Sequence, residues 1–350
     1  MRAARLSDRL SDHLPDRLRV EESGRPVTGQ DEVLVQVHAV GVNQLELAVM
    51  NGARLGPPAL LPRTVGIDPA GVVVAQGGAV VGDRVGERVA VKPNVPCGEC
   101  GFCADGAEAD CRRQQVVGVH RDGGAADYVA VPARVAIPIP GQVPFTVAAA
   151  AVHSVPIALH MIRRAGGVRP GDTVLVTGAT GALGCAALQV AAALGGKVLA
   201  GALNDEPVDD LPGLGATAVL TYGRDDAGGL AEQVRGHAPD GVAIAIDATG
   251  SGPLISAGVR SLAWAGQAVF AAALPGARLD LDPRELYTRR LTLHGSAAAD
   301  YADVRDGLAL VADGTVKPPV AAEFPLPEVA DAYAMAGRRD HVGKVVLHVR

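Results

Sequence analysis

The sequence predicts an α/β protein in which a β-rich domain accompanies a doubly wound parallel sheet. The chain has 350 residues, more than one hydrophobic core usually organises, so two domains are expected. It contains 44 glycines and only 3% aromatic residues, which favours helices packed closely on a sheet. Short strand patterns separated by Gly and Pro fill about the first 150 residues, and alternating strand and helix patterns follow.

The β-rich domain is predicted from stretches in which apolar and polar residues alternate. Residues 31–42, DEVLVQVHAVGV, have this pattern, and it returns at 71–75 and 87–92. The end of the chain shows a helix, a proline-rich link, a second helix and a closing strand, and we expect it to return to the first domain. This domain is therefore assigned to residues 1–150 and 297–350.

Residues 151–296 are predicted to form the doubly wound sheet. One alanine-rich helix, Val147–Arg164, leads into a strand, a glycine-rich turn, a helix and a second strand, which together make a βαβ unit. Further buried strands are predicted at 217–220, 241–247, 267–271 and 291–295. Strands that alternate with helices in this way favour a parallel sheet.

Charge and hydropathy narrow the class of partner. The net charge is −6 and Lys and Arg form no cluster, so neither nucleic acid nor an anionic membrane is an expected partner. The first twenty residues carry several Arg and Asp without an apolar segment. No stretch reaches the roughly 18 uninterrupted apolar residues of a membrane span. We expect a cytoplasmic protein that acts on a small molecule.

Four of the five cysteines lie within fifteen positions and form the pattern C-x2-C-x2-C-x7-C. They are Cys97, Cys100, Cys103 and Cys111. Four thiolates at this spacing can surround Zn²⁺ and leave no open position for water, so a structural zinc ion is predicted in a lobe at 94–114. An iron–sulfur cluster is the distant alternative. The fifth, Cys185, is expected to pack as a small core residue.

A glycine-rich turn follows the strand at 172–177 and opens a helix, the placement that lets a pyrophosphate approach backbone N–H groups. Ala179 replaces the first glycine of the G-x-G-x-x-G pattern, although Gly178 precedes it. A turn that binds nothing is the alternative. The predicted dinucleotide-binding residues here are Gly178, Ala179, Thr180, Gly181, Ala182, Leu183 and Gly184.

The choice between NAD and NADP depends on the end of the next strand. A carboxylate there would hold the NAD ribose, but the sequence has Gly-Ala-Leu-Asn, with Ala202 and Asn204 as candidate contacts. The missing carboxylate favours NADP, with Arg224 as a possible phosphate contact. If Asp205 or Glu206 served the ribose, the preference would reverse.

Over nearly its whole length the sequence resembles the medium-chain alcohol dehydrogenases and quinone oxidoreductases. The motifs DEVLVQVHAVGVN, GIDPAGVVV, GERVAV, the cysteine lobe, GGAADYV, AxGxxG, DATG and GKVVL occur in the family's order. The resemblance implies a GroES-like catalytic domain interrupted by a Rossmann domain, an active site between them, and a homodimer. Through DATG and GKVVL it adds Asp247, Thr249, Gly250 and Lys344 to the cofactor-binding residues.

The resemblance also implies that a catalytic zinc has been lost. The positions of the family's Cys and His ligands are Asn43 and Ile67, and the region of the third ligand around Val152 has no Cys. The hydroxyl that relays the alcohol proton in zinc enzymes is replaced by Leu45. Isoleucine cannot bind a metal, so a zinc-polarised alkoxide is not expected.

Four residues are candidates for the catalytic site. Asn43 is expected to orient nicotinamide, ribose or substrate, or else to cap a turn. His153 is a candidate proton donor or an exposed helix residue. Glu46 and Asp68 occupy the family's acidic positions beside the metal ligands. His120, Tyr287 and His294 are further candidates without a spacing argument, and Trp264 is predicted to lie in the core.

The sequence thus predicts an NAD(P)H-dependent reductase of an activated C=C bond or a quinone, without a catalytic metal. Two alternatives stay open. The first is a non-redox enzyme, such as a cyclase or lyase, or a cofactor-binding module on the same scaffold. The second is a zinc alcohol dehydrogenase with atypical ligands, which would hold two zinc ions per chain instead of one.

Overall fold

A computed structural model describes residues 1–7, 14–53, 61–223, 227, 229–338 and 340–350, except for the side chain of Pro15. Arg224 lies outside the described residues. The strands are β1 (Arg2–Leu6), β2 (Leu18–Glu22), β3 (Glu32–Gly41), β4 (Arg63–Thr64), β5 (Asp68–Gln76), β6 (Arg88–Val91), β7 (Asn94–Val95), β8 (Gln115–Val116), β9 (Tyr128–Pro132), β10 (Ala136–Pro138), β11 (Thr173–Thr177), β12 (Lys197–Leu203), β13 (Ala216–Tyr222), β14 (Val242–Asp247), β15 (Leu262–Phe270), β16 (Thr292–Gly295), β17 (Val320–Pro325) and β18 (Lys344–His348).

The α-helices surround these strands and connect them. They are α1 (Leu14–Arg17), α2 (Gln44–Met50), α3 (Gly101–Ala104), α4 (Phe145–Ala151), α5 (Ser154–Arg164), α6 (Ala182–Ala193), α7 (Leu230–His237), α8 (Gly252–Arg260), α9 (Pro283–Thr288), α10 (Tyr301–Ala312) and α11 (Val329–Arg338).

The middle of the chain forms a parallel sheet in the order β13-β12-β11-β14-β15-β16. The apolar strands carry helices between them, as the sequence predicts for a doubly wound fold. The strand order reverses between β11 and β14, which are neighbours. A crevice at the carboxyl ends of these two strands is where such sheets bind ligands.

The rest of the chain builds a mainly antiparallel sheet in the order β10-β6-β5-β3-β18-β17, with β9 also paired to β3. The closing strand β18 pairs with β3, and β17 runs parallel to β18. The sequence predicts only a proline-rich link between the last two helices, and in the structure this link contains the additional strand β17. Strands β1 and β2 at the start of the chain were also missed.

The predicted single helix Val147–Arg164 is two helices. Helix α4 ends at Ala151, and α5 begins at Ser154 after His153. The four alanines at the end of α4 are fully buried and pack in one core with residues of both sheets. Small side chains let α4 approach the sheet closely, and the break after α4 presents His153 to the end of that sheet.

The stretch Phe145–Arg164 is long and apolar enough to cross a membrane on composition alone. However, 78% of it is buried inside the protein. Helices α4 and α5 therefore pack in the core of the folded protein, where residues of the two sheets cover their apolar surface.

Candidate active site

Three strand ends bring Asn43, Asp68 and Lys344 together. Gly41 at the end of β3 pairs with Asp68 at the start of β5 and with Val346 of β18. A side chain at position 41 would collide with its surroundings, since a Cβ there would lie 2.7 Å from Lys344 Cε and 2.8 Å from the Ala149 carbonyl oxygen. The glycine therefore leaves room for the three polar side chains.

Asn43, Asp68 and Lys344 form one buried hydrogen-bonded cluster, which we call the Asp68 cluster. Lys344 Nζ lies 2.9 Å from Asp68 Oδ2 and also donates to Asn43 Oδ1. Asn43 Nδ2 donates to Asp68 Oδ2 at 2.8 Å and to the Gly41 carbonyl at 3.2 Å. These contacts fix which end of the Asn43 amide is oxygen, because the ammonium can only donate and the carboxylate only accept.

His153 lies against this cluster, and its contacts define its tautomer. Its Nδ1 is 3.2 Å from Asn43 Oδ1 and 3.6 Å from Asp68 Oδ1. Both neighbours are acceptors, so Nδ1 carries the proton and Nε2 keeps a lone pair. Burial lowers the pKa of His153 to about 4, although Asp68 opposes the shift. The imidazole is therefore neutral at pH 7 and presents an acceptor at Nε2.

Glu46 extends the polar region on the α2 side. Its Oε1 accepts hydrogen bonds of 2.7 Å from the Gly66 N–H and from Tyr333 Oη. Burial raises the pKa of Glu46 to about 7, and those two hydrogen bonds only partly offset it. Its other oxygen, Oε2, is buried without a partner in the part of the chain described. Glu46 thus holds α11 and the 66–68 segment against α2.

Ile67 occupies the position of a metal-binding histidine in the resembling family, and it is fully buried. It packs with Val116 and Val119, and Leu45 covers the same small apolar group. Ile67 therefore belongs to an apolar cluster, whereas Asp68 beside it faces Lys344.

The glycine-rich turn has the shape that a pyrophosphate requires. Gly178 is left-handed (φ +71°), and a side chain there would meet Thr249 Cγ2 at 2.7 Å. Helix α6 approaches the turn so closely that a Cβ at Gly184 would lie 1.9 Å from the Gly178 carbonyl. At Gly181, by contrast, a Cβ would meet nothing nearer than 3.6 Å. Gly181 therefore leaves an open face at the start of α6, and these residues fit a dinucleotide.

Asp247 organises the loop that faces the turn. Its two oxygens accept from the Thr177 and Thr249 hydroxyls at 2.6 and 2.8 Å, and from the Thr249 and Gly250 N–H groups at 3.1 and 2.7 Å. With four donors, this carboxylate is occupied by the protein. It positions Thr249 and Gly250 beside the carboxyl ends of β11 and β14.

Lys344, assigned to the cofactor by resemblance, connects the turn to the Asp68 cluster. The preceding Gly343 donates its N–H to the Thr180 carbonyl at 2.8 Å. The Lys344 ammonium points away from this contact, to Asp68 and Asn43. Its partnership with Asp68 was missed by the sequence analysis, and so was that of Tyr333 with Glu46, because no local pattern marks residues about 300 positions apart.

The end of β12 carries the remaining cofactor candidates. Ala202 is fully buried and offers no polar group, and Asn204 is exposed, with its backbone N–H bonded to the Tyr222 carbonyl. Ala182 and Leu183 open α6 with their side chains beside the turn. Neither Ala202 nor Asn204 supplies the acid expected for an NAD ribose at this strand end.

The cysteine lobe has the geometry of a zinc site. The Sγ atoms of the four cysteines lie within 4.8 Å of one another, with Cys100–Cys103 at 3.5 Å and Cys97–Cys103 at 3.9 Å. Tetrahedral Zn–S bonds of about 2.3 Å place sulfurs about 3.8 Å apart. The backbone N–H groups of Glu99 and Cys100 help lower the pKa of Cys97 to about 6. The residues therefore fit a structural zinc ion.

The lobe also contacts the helix that leads out of the parallel sheet. Asp300 accepts the Ala109 N–H at 2.7 Å, and Glu108 accepts the Tyr301 N–H at 3.2 Å. These contacts join the lobe to the first turn of α10. A metal ion in the lobe would therefore stabilise the start of α10 as well as the loop that carries the cysteines.

The remaining candidates lie elsewhere. His120 accepts the Val116 N–H, His294 contacts Gln267 at 2.7 Å, and Tyr287 is 71% exposed. The prediction that Trp264 lies in the core is wrong: it is 65% exposed, with the Arg290 guanidinium 4.7 Å from its ring centre. Trp264 lies between Leu262 and Gln267, where the pairing of β15 with β14 shifts register. Cys185 is buried, as predicted.

Comparisons with known proteins agree with this architecture. Residues 29–141 match the model of the alcohol dehydrogenase GroES-like domain, and residues 182–313 match that of the zinc-binding dehydrogenases. Alcohol dehydrogenase 1 of Emericella nidulans is 31% identical over 93% of this chain and 92% of its own. The chain belongs to the medium-chain, zinc-type alcohol dehydrogenase family. As a member of this family it is an NAD(P)-dependent oxidoreductase acting on small molecules.

Two further relatives carry names that describe different activities. The acryloyl-coenzyme A reductase of Sulfurisphaera tokodaii is 28% identical over 94% of this chain and 96% of its own. A crystal structure of an NAD-dependent alcohol dehydrogenase is 31% identical, covers both chains completely and has a TM-score of 0.90. The chain is therefore similar, at comparable identity, both to an acryloyl-coenzyme A reductase and to alcohol dehydrogenases.

Proposed function

We propose that this protein reduces a C=C bond conjugated to a carbonyl in a small molecule, with NAD(P)H as the reductant and without a catalytic zinc. The observation that carries the proposal is the Asp68 cluster. An ammonium group of the protein, Lys344, occupies the polar site where the family's zinc enzymes gather metal ligands.

The residues at this site do not fit a zinc ion. Ile67 has no donor atom, and the Asn43 oxygen already accepts from Lys344. Asp68 is paired with the same ammonium, whose charge would repel Zn²⁺. Among the four described side chains of this site, only His153 offers a free nitrogen lone pair, and a single imidazole falls short of the three protein ligands of a catalytic zinc site.

Conjugate reduction suits the groups that remain. A bound nicotinamide would supply hydride to the β-carbon, negative charge would then develop on the carbonyl oxygen, and water would supply the proton that the α-carbon takes up. Lys344 has three N–H donors, two of which are used by Asn43 and Asp68. Its ammonium group is buried and held in place by these two contacts. A preorganised cation of this kind stabilises developing negative charge in the way a Lewis acid would. The acryloyl-coenzyme A reductase among the relatives supports this direction.

The test is consumption of NADH and NADPH with a panel of enones, enals, enoyl thioesters and quinones, together with zinc analysis of the purified protein. We expect turnover with at least one conjugated substrate and one zinc per chain. A second tightly bound zinc, or no acceleration over background with the whole panel, would contradict the proposal.

A second candidate, interconversion of an alcohol and a carbonyl compound, is favoured by the tautomer of His153. A neutral imidazole with its lone pair at Nε2 can accept the proton of an alcohol, and Asp68 is placed to stabilise the imidazolium that results. In this case His153→Gln should lower alcohol oxidation by roughly 10²–10⁴-fold. The same substitution should leave C=C reduction within about threefold, because no proton moves to Nε2 in that reaction. Comparing the two activities in one variant decides between the candidates.

We infer in addition that the protein is a homodimer. Within the described chain, β16 is an edge strand that pairs only with β15, and the exposed Trp264 and Tyr287 lie in β15 and α9, which precede it in the chain. Light scattering on the eluted protein tests this, and a monomer at micromolar concentration would contradict it.

A further inference from the structure

The carboxylate of Glu206 is held between the end of β12 and the glycine-rich turn. Its Oε2 accepts the Leu203 N–H at 3.0 Å and the Thr180 hydroxyl at 2.8 Å. Leu203 is the last residue of β12, and Thr180 belongs to the turn itself. Two donors from two separate segments thus fix a negative charge three residues beyond the strand end, although Ala202 at that end offers none.

The second oxygen of Glu206 is available to a ligand. Glu206 is partly buried, and its Oε1 makes no hydrogen bond within the described part of the chain. A carboxylate held through one oxygen can still accept at the other. Its position beside the open face of Gly181 places this acceptor next to the site that fits a pyrophosphate.

His341 supplies a second polar group without a partner. Both of its ring nitrogens are enclosed and make no hydrogen bond to any described residue. It lies two residues before Gly343, whose N–H is bonded to Thr180. Burial lowers the pKa of His341, and Glu206 is among the charges that oppose this shift. Thr180 therefore has Glu206 on one side and the 341–343 segment on the other.

We propose that Glu206 accepts hydrogen bonds from the adenosine ribose hydroxyls of the bound dinucleotide and thereby selects NAD over NADP, with His341 as an additional contact to the same half of the cofactor. A 2′-phosphate would bring negative charge against the fixed carboxylate. Arg338, three residues before His341, is paired with Asp340 at 3.1 Å. The acid that Ala202 lacks thus comes from the next loop, which reverses the preference for NADP drawn from the strand end alone.

This inference rests on the dinucleotide binding assumed in the proposed function, but it can be tested without a substrate. Binding of NADH and of NADPH is measured by the fluorescence of the reduced nicotinamide or by calorimetry, in the absence of any acceptor. The variants are Glu206→Gln, Asp205→Asn, Asp209→Asn and His341→Ala. The Gln side chain keeps an acceptor for Leu203 and Thr180, so the turn is preserved, and thermal unfolding verifies this.

The wild type should bind NADH at least about tenfold more tightly than NADPH, since like charges brought together at an interface are strongly unfavourable. Glu206→Gln should reduce this ratio by about tenfold, while Asp205→Asn and the control Asp209→Asn keep it. His341→Ala should weaken both nucleotides by about the same factor.

Tighter binding of NADPH by the wild type, or an unchanged ratio in Glu206→Gln, would overturn the assignment. A change of ratio in Asp205→Asn instead of Glu206→Gln would overturn it as well, because the selecting carboxylate would then be the neighbour. If NADH is selected through Glu206 but no conjugated substrate is reduced, the inference stands and the proposed reaction fails.

Discussion

The cysteine lobe and the Asp68 cluster are two polar sites of one chain, and they differ in where the positive charge beside their acidic groups comes from. The lobe gathers four thiol groups, with sulfurs 3.5 and 3.9 Å apart, and the cation beside them, Arg113, is more than half exposed and paired with Glu99. The Asp68 cluster contains its own cation, 2.9 Å from the carboxylate. The two sites therefore differ in the source of the balancing positive charge: a bound ion would have to supply it in the lobe, whereas Lys344 supplies it to Asp68 from within the protein.

The largest effect is expected when one of the four thiol groups of the lobe is removed. Cys111→Ser removes a fully buried ligand, so we expect loss of zinc and a decrease of about 5 kcal/mol in the free energy of unfolding. Zinc content and denaturant unfolding measure both. Cys185→Ala is the control, since this buried cysteine lies outside the lobe. A zinc-free variant that is as stable as the wild type would show that the lobe needs no metal.

The next effect is expected at Lys344. Lys344→Met leaves the fully buried Asp68 without its cation, and breaking a buried pair in this way costs about 4 kcal/mol. The double variant Lys344→Met with Asp68→Asn should recover at least half of that loss, because it removes the stranded charge. The double-mutant cycle is measured by denaturant unfolding. Additive losses would mean that the two groups are not coupled.

Glu46 gives a smaller, pH-dependent effect beside the same cluster. Burial raises its pKa from 4.5 to about 7, so the protonated form is favoured in the fold. Its contribution to stability is complete below pH 4.5 and is lost as the pH rises through 7. Glu46→Gln cannot ionise and should gain about 2 kcal/mol on the wild type between pH 5 and 8.

The measurement is the free energy of unfolding of both proteins at several pH values. Glu328→Gln, at an exposed position of the same charge type, should show no such gain. Parallel pH profiles for the wild type and Glu46→Gln would contradict the assignment of a raised pKa to Glu46.

The smallest effect is expected on the surface of the lobe. Arg113 and Glu99 form an ion pair of 2.7 Å whose side chains are more than half exposed. Arg113→Ala should change the melting temperature by less than about 2 °C, because exposed ion pairs contribute little. Zinc content should stay at one per chain. A loss of zinc in this variant would show that the charge around the thiols matters as much as the thiols themselves.

Much of the architecture could be predicted because it depends on local patterns. The alternation of strands and helices in the parallel sheet, the glycine-rich turn and the cysteine spacing are all short-range signals, and the fold class they predict is the one observed. The errors share a cause as well. Trp264 lies where the pairing of β15 with β14 shifts register, and strand β17 pairs with β18 some twenty residues later, and periodicity reports neither feature.

The candidate site was predicted as a set of residues but without their partners. Asn43, Asp68 and His153 are in contact with one another, and Glu46 lies beside them on α2. His153 contacts Asn43 and Asp68 because the chain breaks between α4 and α5. An alanine-rich stretch gives no local signal for such a break. Lys344 was assigned to the cofactor by resemblance, and its bond to Asp68 appears only in the fold.

By itself the sequence determined the family, the two kinds of sheet, the four thiols and the absence of the zinc-binding side chains, since each depends on residue identity or spacing. Only the tertiary structure decided that Lys344 pairs with Asp68, that Tyr333 bonds Glu46 and that Glu206 sits against the glycine-rich turn. The first two of these contacts join residues more than 270 positions apart in the chain. Their formation depends on which strands become neighbours, and the whole chain decides that through its packing.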